Sequence, residues 1–443
     1  LLTIKRGVIM CLKFKKLLLL AVMFVVCTSA VSAQYGVPTS ARAVDLADNL
    51  IAWQTESGGW TKNTDFSTVK YQPGMSRGPV NRYGQECGTF DNNASIDEMR
   101  FLAMVYKWHG HERHKEAFMK GLNWMLEAQY PSGGWPQYYP LRDGYWDNVT
   151  YNDNAMARIL SFIRDMLNQQ ALYDFIGEEN FVRLEEAYEK GIEYILKSQI
   201  EVNGHLTAWC QQHDPVTYEP RMGRAYEHPS IVSAESVGVV RFLMSIPDPS
   251  EEVRRAIVSA LEWFELAQLP AGNWARFYDI DTMVPIFSGR DSIIRYQVSD
   301  IELERQQGYS WFNNSPRSLL EEARKGDYLD KLRESLPDHQ PITIEAFADP
   351  AVPKFNSPKI WPAQTVSGIM TIDIELSMRK PENFEEIVIK IGNEEIYRGS
   401  EMHVQLEHDT SAMRNGIHAL IVETTTKAGA FIRHSANFTV NNR

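Results

Sequence analysis

The sequence is poor in cysteine, with four in 443 residues. Cys11 and Cys27 fall in an N-terminal segment typical of a signal peptide, so the mature chain would keep only Cys87 and Cys210. These two allow one disulfide at most, and two separate buried thiols fit equally well. No cysteine spacing resembles that of a zinc site, which argues against a zinc-stabilised fold.

Long hydrophobic runs are also missing. The N-terminal run Leu17–Val26 has 10 residues, whereas a membrane-spanning helix needs about 20. Lysines precede this run and small residues follow it, a pattern that predicts a signal peptide over residues 1–33, cleaved before Gln34. A lipid anchor at Cys27 is a weaker alternative, because the two residues before it are valines and not small. We therefore expect a secreted or periplasmic protein.

Positive charge is scarce. The formal net charge is −12, and it becomes −17 when residues 1–33 are removed, since they contain five basic residues and no acidic one. An acidic protein is a poor partner for nucleic acid, because phosphate binding needs a basic surface. A polyanionic substrate would have to meet a locally basic cleft or a bound cation.

Several catalytic motifs are absent. The chain contains no G-x-S-x-G elbow, no Walker loop, no G-x-G-x-x-G and no H-E-x-x-H. Their absence argues against the hydrolases, nucleotide-binding enzymes and metalloproteases that depend on them. Hydrolases and lyases of carbohydrate remain.

What the sequence does have is strong helical periodicity over roughly residues 38–270, with a repeated unit inside it. Four helices end in glutamine, and each is followed by a glycine-containing loop and then a tryptophan. The glutamines are Gln54, Gln129, Gln199 and Gln268, and the tryptophans are Trp60, Trp135, Trp209 and Trp274. A unit of 65 to 75 residues holds two helices, so helix pairs should stack in a solenoid or, with so few units, close into a ring. The tryptophans are packing wedges, platforms for stacking sugars, or both.

The pattern changes at about residue 341. Apolar and polar residues alternate from there to the C-terminus with turn signals between them, which predicts a β-sandwich of about 100 residues. The stretch Tyr328–Pro341 is the predicted linker. An accessory role in glycan binding or spacing is expected for this region, because its residues do not concentrate catalytic groups.

Two helices are preceded by nearly the same residues, Asp91–Ala94 and Asn152–Ala155. Asp and Asn are preferred at helix N-caps, so capping alone would explain either one. Their recurrence in successive units instead suggests two carboxylates presented for a hard cation.

Two further polar groups follow the later tryptophans. The non-helical stretch after Trp209 contains Asp214, Arg224 and Tyr226, and the stretch after Trp274 contains Arg276 and Arg290. Dense polar loops of this kind suggest a site, although locally paired surface charges would look the same. Because arginine binds carboxylates through two hydrogen bonds, these arginines would suit a polymer of uronic acids.

Longer words in the chain resemble the pectate lyases of polysaccharide lyase family 10. They are AQYPSGGWPQYYP from Ala128, then LTAWCQQHD, GRAYE, ESVGVVRFLM, WARFYDI, PIFSGRD and ERQQGYSWF, in order over about residues 40–325. The resemblance implies an all-α (α/α)3 toroid, predicted here for residues 34–335, with an immunoglobulin-like β-sandwich at 341–443. It further implies cleavage of polygalacturonate, calcium bound together with the substrate, and an arginine as the base.

The resemblance also implies roles for individual residues. Arg224 of GRAYE matches the catalytic arginine, and Asp153 and Asp91 match the acidic positions that hold calcium. Arg276 and Arg290 match arginines that bind substrate carboxylates. The further predicted substrate contacts are Asn92, Asp214 and Tyr226. One departure is the short loop PAGN before Trp274, which puts the subsite contacts there in doubt.

The expected chemistry is β-elimination. The proton at C5 of galacturonate is α to a carboxyl group, so neutralising that carboxylate acidifies it. Arg224 would remove this proton, although a free guanidinium has a pKa above about 12. Neighbouring arginines and calcium are expected to lower the pKa of Arg224.

Two other functions fit the sequence less well. One is a glycoside hydrolase that uses Asp214 and Glu235 as acid and base. The other is a non-catalytic pectin-binding protein, in which tryptophan loops and β-sandwich hold glycan. For the lyase and for both alternatives, we expect a monomer.

Overall fold

The computed structural model describes Tyr35 and residues 37–442. The predicted signal peptide, residues 1–33, lies outside this part. No helix among the described residues is long and apolar enough to cross a membrane. Cys87 and Cys210 are both buried free thiols.

The chain forms two compact units, the first ending at Glu193 and the second starting at Tyr194. The helices that begin in the first unit are α1 Ala41–Trp53, α2 Ile96–His109, α3 Glu112–Glu127, α4 Ala155–Asn168, α5 Gln170–Tyr173 and α6 Glu178–Lys197. Those of the second are α7 Ser233–Met244, α8 Glu251–Leu266, α9 Leu303–Gln307, α10 Ser315–Arg324 and α11 Tyr328–Glu334. The predicted domain limits, 34–335 and 341–443, differ from this division and stay a prediction.

Local sequence explains where these helices begin and which side they bury. Ser40 caps α1 by accepting a hydrogen bond from the backbone N–H of Ala43, and the buried side chains Leu46, Leu50 and Trp53 follow at helical spacing. Helix α8 repeats this arrangement, with Ser250 as its cap. The apolar faces therefore pack inward, as the 3.6-residue periodicity predicts.

The predicted all-α (α/α)3 toroid is wrong, because the region before residue 341 is mixed. Pairs of two-residue strands join the loops between its helices, β1 (Gly88–Thr89) with β2 (Tyr138–Tyr139) and β4 (Glu201–Val202) with β5 (His205–Leu206). The remaining short strands are β3 Val149–Thr150, β6 Gln212–His213, β7 Ile231–Val232, β8 Trp274–Ala275, β9 Phe277–Tyr278, β10 Phe287–Ser288, β11 Ile294–Arg295 and β12 Phe312–Asn313. Two residues are too few to show a period of two, so the sequence pattern could not reveal these strands.

The repeated tryptophans are packing elements and not sugar platforms. Trp60, Trp135, Trp209 and Trp274 are at most 1% exposed. Each indole N–H donates to a backbone carbonyl of the preceding helix region, at 2.7 to 2.8 Å. A ring buried in this way cannot stack on a ligand, so of the two sequence interpretations the wedge is correct.

The repeated glutamines and glycines attach the same loops to neighbouring helices. Gln129 Nε2 donates to the carbonyl of Gly133 in its own loop and to Ala187 of α6, both at 2.9 Å. Gln54 and Gln199 make the equivalent pair of bonds, and Gln268 bonds to its own loop. Gly133 has a φ of +108°, and a Cβ there would lie 2.0 Å from the carbonyl oxygen of Lys190. Only glycine permits this approach of loop to helix.

The C-terminal region contains two sheets. The strands are β13 Val352–Ser357, β14 Gln364–Val366, β15 Ile369–Ser377, β16 Phe384–Ile391, β17 Glu394–Gly399, β18 His403–Asp409, β19 Gly416–Thr426 and β20 Phe431–Val440. One sheet has the order β13-β15-β18 and the other β14-β20-β19-β16-β17, with β14 parallel to β20. Alternate side chains from both sheets, such as Ile372, Val404 and Leu420, share one apolar core. The predicted linker contains helix α11.

Candidate functional site

The two similar sequences near α2 and α4 form the same backbone turn. Residues Asp91–Asn93 and Asn152–Asn154 are single 3₁₀ turns with left-handed residues inside, Asn92 at φ 51° and Asp153 at φ 49°. Asn and Asp tolerate this conformation better than other residues with side chains. Neither helix receives a side-chain hydrogen bond at its N-cap. Side-chain capping therefore does not account for these residues.

Asp91 is the buried centre of the first group, with 2% of its surface exposed. Its Oδ2 pairs with the Lys62 ammonium and accepts a 2.6 Å hydrogen bond from Gln137 Nε2. Burial would raise the pKa of Asp91, but hydrogen bonds with Asp153 and Lys62 outweigh burial and hold it below its usual value. Two carboxylates in such proximity need a proton or a cation between them.

Several polar atoms of this group are buried without a hydrogen-bond partner among the described residues. They are Asp91 Oδ1, Gln137 Oε1, Asn93 Oδ1 and Arg158 Nη1. Burial lowers the pKa of Arg158, while the nearby carboxylates Asp97, Asp153 and Asp91 oppose the shift. Buried polar atoms are normally hydrogen-bonded, so the oxygen atoms of this set are available to a ligand or to water.

The donor set of this group fits a hard cation in part. The available atoms are carboxylate and amide oxygens, which calcium prefers, but calcium takes six to eight of them. Within residues 37–442 no cluster of three or more His, Cys, Asp or Glu side chains could hold a metal by itself. Asp91 and Asp153 therefore suit a cation that completes its shell with substrate and water oxygens, and Lys62 is the cation they face without it.

The second group lies in the second unit around Arg224. Glu227, 3% exposed, accepts hydrogen bonds from the backbone N–H of Arg224 at 2.8 Å, from the Arg224 guanidinium and from the Tyr309 hydroxyl at 2.7 Å. Burial would lower the pKa of Arg224, but the bond to Glu227 outweighs burial and raises it. The sequence led us to expect that the surroundings of Arg224 lower its pKa, whereas these contacts raise it.

Arginines and tyrosines alternate in this group. The Arg224 guanidinium lies 5.3 Å from the Tyr309 ring centroid and 5.0 Å from that of Tyr226. Arg276 lies 4.8 Å from the Tyr309 ring, and Arg305 lies 4.8 Å from the Tyr226 ring. Cation–π contacts of this kind hold the three guanidinium groups against the tyrosine rings.

Every arginine of the group pairs with a carboxylate, and two of them share one. Arg276 pairs with Glu235, whose side chain is 4% exposed. Glu304 pairs with both Arg290 and Arg305, and these bonds lower its pKa to about 2. Glu235 is thus the counter-ion of a buried arginine and not a free acid.

Asp214 has a structural role inside its loop. It accepts hydrogen bonds from the backbone N–H groups of Val216 and Thr217, both at 2.8 Å, and pairs with Arg221 at 2.7 Å. These contacts, led by the Thr217 bond, lower its pKa to about 2. A general acid needs a raised pKa, so the hydrolase that would use Asp214 as its acid loses support.

The sequence analysis named Asp91, Asp153, Arg224, Arg276 and Arg290 but missed several residues that belong to the same two groups. The missed residues are Lys62, Gln137, Arg158, Arg305 and Tyr309. Gln137 and Tyr309 lie inside the family motifs PSGGWPQYYP and ERQQGYSWF, so these motifs could have identified both residues as site candidates. Lys62 and Arg158 carry no local pattern that would separate them from surface cations.

The short loop before Trp274 closes on itself. The N–H of Gly272 donates to the carbonyl of Leu269 at 2.8 Å, and the N–H of Leu269 donates to Asn273 at 2.9 Å. Four residues therefore suffice to connect Leu269 to Trp274.

Comparison with known proteins identifies the chain. The family model described as pectic acid lyase matches residues 54–273 and 267–320. A family 10 polysaccharide lyase from Cellvibrio cellulosa is 38% identical, with a TM-score of 0.57, over 64% of this chain and 92% of that one. A mutant family 10 lyase from the same organism, in complex with trigalacturonic acid, is 35% identical, with a TM-score of 0.58, over 68% and 96%. The comparison with curated proteins gave no match.

The repeated helices and the paired acidic and arginine groups thus belong to an enzyme of the polysaccharide lyase class. More narrowly, the chain belongs to the pectic acid lyases of polysaccharide lyase family 10.

Proposed function

We propose that this enzyme cleaves polygalacturonate by calcium-assisted β-elimination, with Arg224 as the base, and releases 4,5-unsaturated oligogalacturonates. The family match carries this proposal, since a relative that aligns over 96% of its length was solved with trigalacturonic acid. The buried oxygens around Asp91 and the arginines around Arg224 support it.

The acidic group would hold the cation. Asp91 and Asp153 supply carboxylate oxygens, and the unpartnered Oδ1 of Asp91 and Oε1 of Gln137 are further donors among the described residues. Calcium, when bound, neutralises a substrate carboxylate and so acidifies the proton at the neighbouring C5. When a cation binds, the ion pair between Lys62 and Asp91 must weaken.

The arginine group would bind and orient the polyanion. Arg276 and Arg290 would each pair with a substrate carboxylate, as the resemblance implies. Arg290 is 64% exposed and can reach a polymer directly. Arg276 is 15% exposed and fixed by Glu235 and the Tyr309 ring, so it would act from a constant position.

Arg224 would take the C5 proton only after releasing one of its own. Its partner Glu227 is in direct contact and favours the charged guanidinium, so the released proton goes to solvent. Neutral Arg224 then removes the proton at C5, the C–H electron pair forms the C4–C5 double bond, and the C4–O bond breaks with the oxygen protonated from solvent. The raised pKa of Arg224 means that the ion pair is the resting state and that substrate binding must disturb it.

One experiment tests the whole proposal. Polygalacturonate with calcium should give a product that absorbs in the ultraviolet, because β-elimination creates a conjugated double bond. A chelator should abolish the signal, and Arg224→Ala should reduce it strongly. Saturated products, or activity that survives chelation, would point to the hydrolase instead, and binding without product would point to a pectin-binding protein.

We further propose that the enzyme acts outside the cytoplasm, as a secreted or periplasmic monomer. The predicted signal peptide at residues 1–33 supports this location, since its polymeric substrate cannot enter a cell. Edman sequencing of the protein exported by its host tests it, and an N-terminus at Gln34 is the expected result.

A further inference from the structure

A short hairpin in the second unit carries Arg290 in its turn. Strands β10 and β11 pair antiparallel, and residues 289–293 connect them. Asp291 stabilises this turn by pairing with Arg295 of β11 at 2.7 Å. Two strands of two residues each are too short to be stable by themselves in water, so other parts of the chain must hold the hairpin in place.

The C-terminal end of the hairpin packs against the β-sandwich. The ring of Tyr296, which follows β11, lies 5.3 Å from the imidazole of His434 on β20, and His434 lies 5.4 Å from the ring of Phe355 on β13. Both pairs are close to edge-to-face, at 73° and 65°, a geometry that aromatic rings prefer. His434 is 4% exposed, and burial together with the nearby Arg295 lowers its pKa to about 4. A neutral imidazole therefore joins the two rings at neutral pH.

The segment before β10 is attached to the same region through the backbone. The N–H of Ala348 donates to the carbonyl of Asp281 at 2.9 Å. Arg379 fixes this attachment from the side of the sandwich, because its Nη2 donates to the carbonyls of Phe347 and Ala348 at 2.9 and 2.7 Å. The hairpin is thus connected to the sandwich before its first strand and after its second.

A cavity of about 800 Å³ lies beside these attachments. Its walls are mainly apolar and include Met283 and Phe287 on the side of the hairpin and Val352 and Met378 on the side of the sandwich. A contact that encloses a cavity gains less from packing than a filled core does. The ring of Tyr296 should therefore supply a large part of the support, since neighbouring side chains do not fill this space.

We propose that the β-sandwich positions the hairpin β10–β11 and thereby holds Arg290 at the substrate, with Tyr296 and His434 as positioning residues. The family model ends at residue 320, before β13 begins, so the contacts of this chain carry the assignment. It rests on the proposed function, in which Arg290 binds the polymer. Because Arg224 is held by Glu227 and not by the hairpin strands, a loosened hairpin should weaken substrate binding and leave the chemical step unchanged.

Tyr296→Ala removes the ring contact and tests the positioning. KM for polygalacturonate should rise roughly two- to tenfold, the range that corresponds to one aromatic contact, while kcat stays at the wild-type value. Tyr296→Phe keeps the ring and should keep the wild-type KM. His418→Ala is the matched control, because the His418 ring packs 5.8 Å from Phe438 within the same sandwich. Its KM should equal that of the wild type.

Hydrogen–deuterium exchange measures the hairpin itself. The backbone amides of residues 286–294 should exchange faster in Tyr296→Ala than in the wild type or in His418→Ala, and thermal melts verify that every variant is folded. Unchanged exchange or an unchanged KM in Tyr296→Ala would overturn the proposal, as would an equal rise of KM in His418→Ala. If exchange rises as expected while the wild type releases no unsaturated product, the sandwich holds the hairpin and the proposed cleavage is wrong.

A double variant shows whether the effect passes through Arg290. In an Arg290→Gln background, Tyr296→Ala should cause no further rise in KM, because the hairpin then has no substrate contact to misplace. A further rise of the same size as in the wild-type background would show that Tyr296 acts on binding by another route and would overturn the positioning of Arg290.

Discussion

The two units present charge in opposite ways. Around Asp91 in the first unit, carboxylate and amide oxygens are buried and several have no partner among the described residues. Around Arg224 in the second, the guanidinium groups of Arg276 and Arg305 each have a carboxylate partner, as Arg224 itself does. The first group gathers carboxylate and amide oxygens, whereas the second gathers guanidinium groups that already pair with carboxylates, although Arg276 Nε and Glu235 Oε2 are also buried without a hydrogen-bond partner among the described residues. A cation should therefore bind to the first group and a polyanion should compete within the second.

Replacing Arg224 should have the largest effect. Arg224→Lys keeps a positive charge but loses the planar guanidinium that bonds to Glu227, so kcat should fall by about 10²- to 10⁴-fold. KM should change little, because Arg276 and Arg290 still bind the carboxylates. Steady-state kinetics on polygalacturonate measures both values. Near-native turnover with an unchanged pH profile would remove Arg224 from the role of base.

Replacing Asp91 should have the next largest effect, because it should weaken the binding of the cation. Asp91→Asn removes one of two carboxylates, so the calcium concentration for half-maximal rate should rise about 10- to 100-fold. A surface control in the same unit is Asp174→Asn, since Asp174 is 63% exposed and pairs with Lys107. An unchanged calcium requirement in Asp91→Asn would place the cation elsewhere.

Replacing Glu227 should move the pH dependence. Glu227 raises the pKa of Arg224, so Glu227→Gln lowers that pKa and neutral Arg224 appears at lower pH. The rising limb of kcat/KM against pH should shift toward acid, together with a lower maximum because orientation is lost. A lower maximum without any shift would show that Glu227 only orients Arg224.

The smallest expected effect concerns a second buried carboxylate of the first unit, at the start of α2. Burial raises the pKa of Glu98 to about 7, with Tyr35 donating a hydrogen bond to it, whereas hydrogen bonds with Asp153 and Lys62 hold the pKa of Asp91 below its usual value. A raised pKa stabilises the fold below the unfolded value near 4.5, and this contribution is lost as pH rises through about 7. Glu98→Gln should therefore be more stable than the wild type at pH 8 by on the order of 2 kcal/mol, and equal at pH 4. Thermal melts at both pH values test the difference, and no gain at pH 8 would contradict it.

Some features of the molecule could be predicted from the sequence and others could not. The repeated Gln and Gly-Trp residues indicated the repeated loops, because those loops need the same contacts each time. The two-residue strands could not be predicted, since they depend on tertiary pairing of loops and show no period. Lys62 and Tyr309 were the most consequential gaps, because a lysine at Asp91 and a hydroxyl that bonds to the carboxylate partner of Arg224 become visible only when side chains are placed in space. The site assignments themselves remain predictions from the family resemblance.

The first group is proposed to serve the cation and the second to serve the proton transfer. Initial rates on polygalacturonate, measured against calcium concentration for the wild type, Asp91→Asn and Arg224→Lys, test this division most directly. We predict that Asp91→Asn needs more calcium and recovers much of its rate when calcium is raised, while Arg224→Lys stays slow at every concentration with an unchanged calcium midpoint. The same response from both variants would contradict the division.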